Sequence, residues 1–176
     1  MKKQAGSVRR AKKSIGSPKF QLITPFLWFD KEAEQAAKFY CSIFPKSKIT
    51  KITRYGEAGP GAAGSVMTVE FVLNGQEFIA LNAGPTFKFT EAISFMVSVR
   101  TQKELDYYWS KLTAGGEEVA CGWLKDKYGL SWQITPVMLM QMWSGRDSKK
   151  ANRAMKAMMD MVKLDIKKLQ AAYDGK

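Results

Sequence analysis

Cys121 is the residue of this chain whose type most directly suggests covalent chemistry. A thiolate is a strong nucleophile, but a cysteine needs a neighbouring base or cation to form it near neutral pH. The chain contains no histidine, so the nearby basic groups are Lys125 and Lys127. We therefore interpret Cys121 as a structural or pocket-lining thiol. A catalytic role for Cys121, with Glu70 as a second acid/base candidate, is the alternative.

Two predicted strands place polar side chains on one face, because successive residues of a strand point to opposite sides. In the first of them, Ser94 and Met96 lie opposite an apolar set that begins with Ile93 and is expected to pack beneath a helix. In the second, Ser131 and Gln133 lie opposite the apolar residues. These side chains are predicted to line a largely apolar cleft and to orient a ligand. In the alternative, the polar groups satisfy one another or water.

Residues 59–64, with the sequence GPGAAG, match the G-x-G-x-x-G pattern of dinucleotide-binding loops. That pattern binds phosphate where a helix follows it, because the N–H groups of the helix N-terminus then face the phosphate. Residues 65–73 instead alternate with period two, which predicts a strand. We therefore interpret the segment as a flexible hairpin loop. Nothing else in the sequence resembles a methyl-donor site.

The first half of the chain shows a strand, a helix and three further strands. Asp30 is expected to cap the helix, and Pro45 to end it. Asn74 and Gly75 predict a two-residue hairpin turn between the last two strands. The predicted strands are Leu22–Phe29, Ile49–Tyr55, Ser65–Leu73 and Glu77–Ala83.

The same order returns in the second half, which indicates an internal duplication. Thr101 and Glu104 have the spacing of a capping box, and Gly115 and Gly116 end the predicted helix. From Pro136 onward the apolar residues recur at helical spacing. The predicted strands are Ala92–Val99, Glu117–Trp123 and Leu130–Thr135, with a shorter strand between the last two.

These elements predict one α+β domain built from two βαβββ modules. The modules are placed at about residues 20–84 and 85–136, within a domain that spans 20–145. Residues 146–176 are predicted to form a C-terminal helical extension of the same domain. Residues 1–19 are assigned to a separate N-terminal tail.

Basic residues are concentrated in that tail. The formal net charge is +12, and residues 1–19 carry seven lysines and arginines and no acidic residue. The segment lacks apolar periodicity, so we predict that it is disordered. Weak nucleic-acid association through the tail is weighed against a solubilising extension.

The number of cysteines and the hydropathy of the chain indicate the cellular compartment in which the protein is expected. Two cysteines in a chain of 176 residues are too few for a disulfide framework, which predicts free thiols in a reducing cytoplasm. No apolar run approaches the roughly 18 residues that span a bilayer, so no membrane association is expected. An organelle transit peptide, which is also basic and poor in acidic residues, is an alternative interpretation of residues 1–19.

Several segments together resemble one protein family. They are CGWLKDKYGLSWQITP at 121–136, AMMDM at 157–161, KLDI at 163–166 and LNAGP at 81–85. In residue type and order they resemble the PhnB-like family, often labelled 3-demethylubiquinone-9 3-methyltransferase. That family is a branch of the glyoxalase/bleomycin-resistance/dioxygenase (vicinal oxygen chelate) superfamily. The resemblance covers Ile23 to Tyr173 and implies paired βαβββ modules, each a curved sheet around a cleft, and a homodimer.

The resemblance also implies where a metal would be held. The usual chemistry of the superfamily uses a divalent metal bound by His and Glu side chains in the cleft. Those positions fall near Ser94, at Gln133, near Asn82, and near Thr24 or Pro25. Hydroxyl and amide groups neither balance the charge of a dication nor replace imidazole. We therefore predict no metal and no cofactor.

The resulting functional prediction is metal-independent binding of a small, partly apolar organic molecule, as bleomycin-resistance relatives sequester drugs. The enzyme alternative is a metal-independent isomerase or lyase, in which Gln133, Asn82 and Ser94 polarise the substrate and Cys121 or Glu70 moves a proton. Methyltransferase activity has no support in these residues. The predicted ligand-binding residues are Thr24, Trp28, Asn82, Ser94, Met96, Ser131 and Gln133, where Trp28 is expected to share a strand face with Thr24.

Overall fold

The computed structural model describes residues 21–176, so the predicted tail lies outside the described residues. The strands are β1 (Phe26–Phe29), β2 (Lys48–Arg54), β3 (Val66–Leu73), β4 (Gln76–Asn82), β5 (Ser94–Val99), β6 (Glu117–Glu118), β7 (Trp123–Lys125) and β8 (Ser131–Pro136). The helices are α1 (Ala33–Ile43), α2 (Gln102–Leu112), α3 (Val137–Ser144), α4 (Ser148–Met159) and α5 (Ile166–Asp174). A short 3-10 turn, Ala120–Gly122, precedes β7.

The strands form two four-stranded sheets with the same internal order. The first sheet has the order β1-β4-β3-β2, and the second has the order β5-β8-β7-β6. In each sheet the first strand of the module runs parallel to the last, and the remaining pairs are antiparallel. Each module is therefore a βαβββ unit, which confirms the predicted α+β fold.

Local sequence signals determine the turns and caps of these modules. Asn74 and Gly75 both adopt positive φ, 46° and 91°, as the two central residues of a tight hairpin turn require. The Thr101 hydroxyl accepts a hydrogen bond from the Glu104 N–H at 3.2 Å, and the Glu104 carboxylate accepts one from the Thr101 N–H at 3.2 Å. The predicted hairpin and capping box are both confirmed.

The first strand is shorter than predicted. It begins at Phe26, while Leu22 and Ile23 are 97% and 80% exposed. Pairing with β4 extends only over the four residues of β1, and the preceding Pro25 has no N–H to continue a ladder. Thr24 therefore lies outside the strand, and the prediction that it shares a strand face with Trp28 is wrong.

The predicted strand Glu117–Trp123 is also wrong, because it is interrupted by the 3-10 turn. Cys121 there has a φ of 61°, which a non-glycine residue adopts only at a cost. The N–H groups of Cys121 and Gly122 donate to the carbonyl oxygens of Met161 and Val162 at 2.7 and 2.8 Å. The C-terminal segment thus binds the backbone that a continuous strand would have used. The predicted shorter strand is β7.

Aromatic rings of both modules meet in one core. The Trp132 ring of β8 lies 5.5 Å from the Tyr40 ring and 5.4 Å from the Phe44 ring, centroid to centroid. Tyr40 and Phe44 belong to the first module, so its helix α1 and the residue that follows it pack against the second sheet. Phe78 of β4 and Phe95 of β5 make a second contact at 5.2 Å. The modules are therefore joined through the faces of the sheets that the helices cover.

A buried carboxylate adds a polar joint to this core. Asp126 is 2% exposed, and its Oδ2 accepts hydrogen bonds from Tyr40 Oη at 2.8 Å and Trp132 Nε1 at 2.9 Å. Its Oδ1 accepts from the N–H groups of Tyr128 at 2.8 Å and Leu130 at 3.2 Å. Burial raises the pKa of Asp126 even though these hydrogen bonds act in the opposite direction. One side chain thus ties α1 to the β7–β8 hairpin.

The C-terminal helices pack on the second module. Gln102 at the start of α2 accepts the Ile166 N–H at 2.9 Å and donates to the Leu164 carbonyl at 3.2 Å. Lys163 and Asp106 form an ion pair at 2.6 Å. Within residues 21–176, no helix is both long enough and apolar enough to cross a membrane.

Candidate functional site

The strand register places a row of polar side chains on the second sheet, on the face opposite the buried Trp132. Ser94, Ser131 and Lys125 are partners across β5, β8 and β7. Met96, Gln133 and Trp123 form the next row. Partnered residues of neighbouring strands project to the same side of a sheet. We call this surface the outer face of the second sheet, and its residues are Ser94, Met96, Trp123, Lys125, Ser131 and Gln133.

Gln133 and Ser94 are brought together on this outer face. Gln133 Nε2 donates to Ser94 Oγ at 2.8 Å, and both side chains are half-buried. The side-chain oxygen of Gln133 and the hydroxyl proton of Ser94 stay available for other partners. Met96 in the same row is 49% exposed. Ile93, expected to pack beneath a helix, is instead 70% exposed, because it precedes the first residue of β5.

Ser131 is more enclosed than its predicted position in a cleft suggests. It is 1% exposed, and its hydroxyl oxygen has no hydrogen-bond partner among residues 21–176. An ion pair joins Lys125 Nζ to Glu91 Oε1 at 2.5 Å. Glu91 precedes β5, Lys125 belongs to β7, and β8 lies between those strands. The ion pair therefore links the strand on one side of β8 to the segment that precedes the strand on its other side.

The corresponding face of the first sheet is more fully hydrogen-bonded. Trp28, Leu81, Thr68 and Thr53 are partners across β1, β4, β3 and β2. The hydroxyls of Thr53 and Thr68 are 2.5 Å apart and bond to each other. Trp28 Nε1 donates to the Gly84 carbonyl at 2.8 Å. These polar groups already have protein partners, and the Trp28 ring remains as an apolar surface.

Asn82 lies on the opposite side of the first sheet, because it alternates with Leu81 along β4. Its Oδ1 accepts the Ala33 N–H at 2.8 Å, and its Nδ2 donates to the Val66 carbonyl at 3.1 Å. Asn82 thus supplies the cap of α1 that was predicted for Asp30, and the Asp30 prediction is wrong. A ligand-binding role for Asn82 stays a prediction, although its amide oxygen and nitrogen both make structural hydrogen bonds.

The candidate acid/base residues lie in different modules. Glu70 of β3 pairs with Lys51 at 3.3 Å. The Cys121 thiol, in the 3-10 turn, lies 3.7 Å from the Met159 sulfur. In the described part of the chain, no basic side chain is hydrogen-bonded to Cys121. Thr24 donates to a backbone carbonyl three residues earlier, at 3.4 Å. Catalytic roles for Cys121 and Glu70 stay predictions.

A cavity of about 600 Å³ lies between α1 and the glycine-rich loop 59–64. The loop is followed by β3 and not by a helix, which confirms its prediction as a hairpin loop. A Cβ atom at Gly61 would collide with the Tyr55 ring. The glycines thus let the backbone lie against an aromatic ring, which is a packing role.

A second cavity, of about 500 Å³, lies where the linker between β4 and β5, residues 83–93, meets the β7–β8 hairpin. Its wall includes the rings of Trp28, Phe87, Phe89 and Tyr128, with Lys125 among the charged residues. Trp28 and Phe87 are in edge-to-face contact at 4.9 Å. The sequence predictions missed this cavity, although two phenylalanines shortly after the Gly84-Pro85 pair were a usable signal.

The residues predicted to lie at or near the metal positions of the superfamily are poor ligands for a divalent metal. Ser94 and Gln133 are bonded to each other, and Asn82 is bonded to backbone groups. All three are neutral donors, whereas such sites use imidazole and carboxylate ligands. Across residues 21–176, no group of three or more His, Cys, Asp or Glu side chains could hold a metal ion.

Comparison with known proteins places this geometry in a family. The profile of the family described as 3-demethylubiquinone-9 3-methyltransferase matches residues 21–135. The chain belongs to this PhnB-like family. The PhnB protein of Bacillus cereus is 42% identical, with 66% of this chain and 100% of that chain covered and a TM-score of 0.61. The family resemblance predicted from the sequence is confirmed.

A more distant structure, PA1353, shares the fold of this PhnB-like chain. Protein PA1353 of Pseudomonas aeruginosa is 18% identical, covers 65% of this chain and 96% of its own, and has a TM-score of 0.55. The fosfomycin resistance protein FosX of Listeria monocytogenes is 14% identical over 64% of this chain and 86% of its own, with a TM-score of 0.44. No curated protein matches the sequence. Helices α3 to α5 lie outside the residues matched by the family profile.

Proposed function

We propose that this PhnB-like protein binds a small, partly apolar organic molecule on the outer face of the second sheet. The observation that carries the proposal is the hydrogen bond between Gln133 and Ser94 beside the exposed Met96. The bond fixes both polar side chains and leaves an acceptor on Gln133 and a donor on Ser94. A few oriented polar groups on an apolar surface are typical of small-molecule sites. Members of the superfamily bind small molecules.

We propose that this binding is independent of metal. Ser94 and Gln133 provide a hydroxyl and an amide where the superfamily uses charged or imidazole ligands. A neutral pair that is already hydrogen-bonded would have to break that bond to coordinate an ion, and would gain no charge compensation. Its chemistry suits a polar group of an organic ligand better.

We further propose that the protein acts as a homodimer that completes the binding cleft. The strands β1 and β5 each lie at the edge of their sheet, so each has one side without a partner strand. Phe26 on β1 is 55% exposed and Met96 on β5 is 49% exposed. Unpaired edges with exposed apolar side chains favour association, and superfamily members often form dimers.

A cytoplasmic location is also proposed. Cys41 and Cys121 are both free cysteines. Unpaired thiols persist in reducing compartments, and fractionation of cells that express the full chain with a C-terminal tag measures the location directly.

Replacing Gln133 by Leu separates a ligand role from a structural one. The side chain keeps a similar volume but loses its hydrogen-bonding groups, so the affinity for a ligand bound through the amide should fall by about 1–3 kcal/mol. The melting temperature should change little. Binding is measured by calorimetry against a panel of small aromatic and dicarbonyl compounds, with Ser94→Ala as the companion variant.

The matched control is Gln141→Leu, which changes an exposed glutamine on α3. It should alter neither affinity nor melting temperature. If Gln133→Leu and Ser94→Ala lower the melting temperature while every ligand keeps its affinity, the pair is structural and the proposed site is rejected.

Phe26→Lys tests the proposed dimer. A charge on the exposed edge strand should shift the mass in sedimentation equilibrium from dimer to monomer, because an unpaired lysine would be buried in the interface. The control is Leu22→Lys, which changes an exposed residue outside the strand. A wild-type chain that is monomeric at all concentrations would contradict the proposed assembly.

A further inference from the structure

The lysine of the ion pair between Glu91 and Lys125 is the cross-strand neighbour of Ser131 on β8. Lys125 Nζ and Glu91 Oε1 approach to 2.5 Å, and the buried hydroxyl of Ser131 has no hydrogen-bond partner within residues 21–176. Each charge stabilises the other, so the hydrogen bond between them lowers the pKa of Glu91 and raises the pKa of Lys125. An unsatisfied buried hydroxyl calls for an explanation, and one explanation is a ligand group that bonds it.

The two partners of this ion pair differ in how firmly they are held. The Lys125 side chain belongs to β7 and is 30% exposed, whereas the Glu91 side chain lies in the linker and is 59% exposed. An exposed ion pair contributes little to stability. Another carboxylate can therefore replace Glu91 at Lys125 while the local charge stays balanced.

Lys125 also lines the aromatic cavity of about 500 Å³. The Trp28 indole N–H is already bonded to Gly84, so Trp28 presents an apolar ring to that cavity. Phe87 also lines the cavity, is 62% exposed, and is in edge-to-face contact with the Trp28 ring. Tyr128 also lines the cavity, and its ring centre lies 6.0 Å from that of Phe29. Aromatic surfaces of this kind bind planar rings by stacked or edge-to-face contacts.

The wall of the cavity carries charged residues of both signs. Lys88, Lys125 and Lys127 come from the linker and the hairpin, while Asp30 and Glu32 come from the connection between β1 and α1. The Lys127 ammonium lies 4.4 Å from the centre of the Phe39 ring and is held there. Of these three lysines, Lys125 is the one in an ion pair among the described residues, so an exchange of carboxylates would free it for a ligand.

We propose that this cavity binds a small aromatic carboxylic acid, with its ring among Trp28, Phe87 and Tyr128 and its carboxylate in place of Glu91 at Lys125, the cross-strand neighbour of Ser131. Glu91 occupies the anion position when no ligand is bound. The inference rests on the proposed small-molecule function and names the ligand class for a position one row from Gln133.

Phenylacetate is the probe, and its neutral amide and phenethylamine are the controls for charge. Binding to the full chain is measured by calorimetry, with the intrinsic tryptophan fluorescence as a second readout. The wild type should bind phenylacetate more tightly than either control. Glu91→Gln should raise phenylacetate affinity at least about threefold, because the competing carboxylate is removed, and should leave the amide unaffected.

Lys125→Met should lower phenylacetate affinity about tenfold or more, because the ligand carboxylate loses its cation. Ser131→Ala should lower it severalfold without lowering the melting temperature, since the hydroxyl has no partner to lose. If the hydroxyl were structural, Ser131→Ala would lower the melting temperature and leave phenylacetate affinity unchanged. Glu57→Gln, a change in the loop after β2, is the matched control and should change neither quantity.

Equal affinity for the acid and the amide would overturn the proposal, as would tighter binding of the amine or an unchanged affinity in Glu91→Gln. Failure here is distinguishable from failure of the proposed function. Compounds whose binding depends on Gln133 but not on Lys125 would support the outer-face site and reject the aromatic-acid cavity. Phenylacetate binding that depends on Lys125 but not on Gln133 would do the opposite.

Discussion

The two modules share one strand order but use their polar side chains differently. In the first module, Thr53 bonds Thr68 and Trp28 bonds the linker, so the polar groups of its outer face have protein partners. In the second module, the side-chain oxygen of Gln133 and the buried hydroxyl of Ser131 have no hydrogen-bond partner in the described part of the chain. The duplicated fold therefore carries its unused hydrogen-bonding capacity in the second module.

Asn82 and Gln133 make this difference concrete. Both were predicted to bind ligand through an amide, but Asn82 caps α1 and bonds Val66, whereas within residues 21–176 the Gln133 side chain bonds only Ser94. A polar residue near a cleft is a candidate for ligand binding only when its existing hydrogen bonds leave a group free. Counting those bonds distinguishes the two modules more clearly than residue type does.

The largest expected effect comes from breaking the joint that holds the modules together. Asp126→Ala should lower the free energy of unfolding by about 3 kcal/mol or more, because several buried donors lose their partner at about 1–3 kcal/mol each. Tyr40→Phe removes one of those hydrogen bonds and should cost about 1 kcal/mol. Urea denaturation measures both. If both variants lost the same small amount of unfolding free energy, the packing of the two modules would not depend on Asp126. The outer face of either module could then be altered without affecting the other.

Asn82→Leu should lower the free energy of unfolding by about 1–3 kcal/mol, because the Ala33 N–H and the Val66 carbonyl lose their partner. Ligand affinity should be unchanged once the fraction folded is taken into account. Gln133→Leu is the matched variant in the other module, with the opposite expected result. If Asn82→Leu weakened ligand binding and spared stability, the contrast between the modules would be wrong.

The pH dependence at Asp126 sharpens the account of the joint. Burial raises the pKa of Asp126 above its ordinary 3.8, so the folded state favours the protonated form. The associated stabilisation is complete below the pKa of the unfolded state and is lost as pH rises through the higher pKa of the folded state.

The measurable quantity is the free energy of unfolding of the wild type minus that of Asp126→Asn. This difference cancels the contributions of Glu34 and Asp106, whose pKa values are lowered mainly by hydrogen bonds to lysine and which act in the opposite direction. The difference should decrease as pH rises from about 3 to 7. An increase would mean that the hydrogen bonds to Asp126 outweigh its desolvation.

The smallest effect is expected from the N-terminal tail. Deletion of residues 1–18 should change the melting temperature by less than about 2 °C, because a segment without apolar periodicity buries little surface. Differential scanning calorimetry measures this. Loss of a salt-sensitive nucleic-acid affinity on deletion, in filter binding at two salt concentrations, would instead support the tail as a functional element.

The local elements of the fold were predictable because their causes are short in sequence. Asn74 and Gly75 determine a hairpin from adjacent residues, and Thr101 and Glu104 form a capping box three residues apart. The strand Glu117–Trp123 failed for the converse reason. Its backbone is bound by Met161 and Val162, which no local pattern in that stretch could reveal.

By itself, the sequence determined the duplicated βαβββ order, because hydrophobic period, turn residues and caps act over a few positions. It also determined that no histidine is available for a metal or a general base. Only the tertiary structure decided which polar groups are free. Asn82 reaches a helix 49 residues away and Asp126 reaches Tyr40 across 86 residues. Glu91, which precedes β5, meets Lys125 of β7 because the sheet places β5 and β7 on either side of β8. Hydrogen-bond partners depend on such long-range neighbours, which periodicity does not encode.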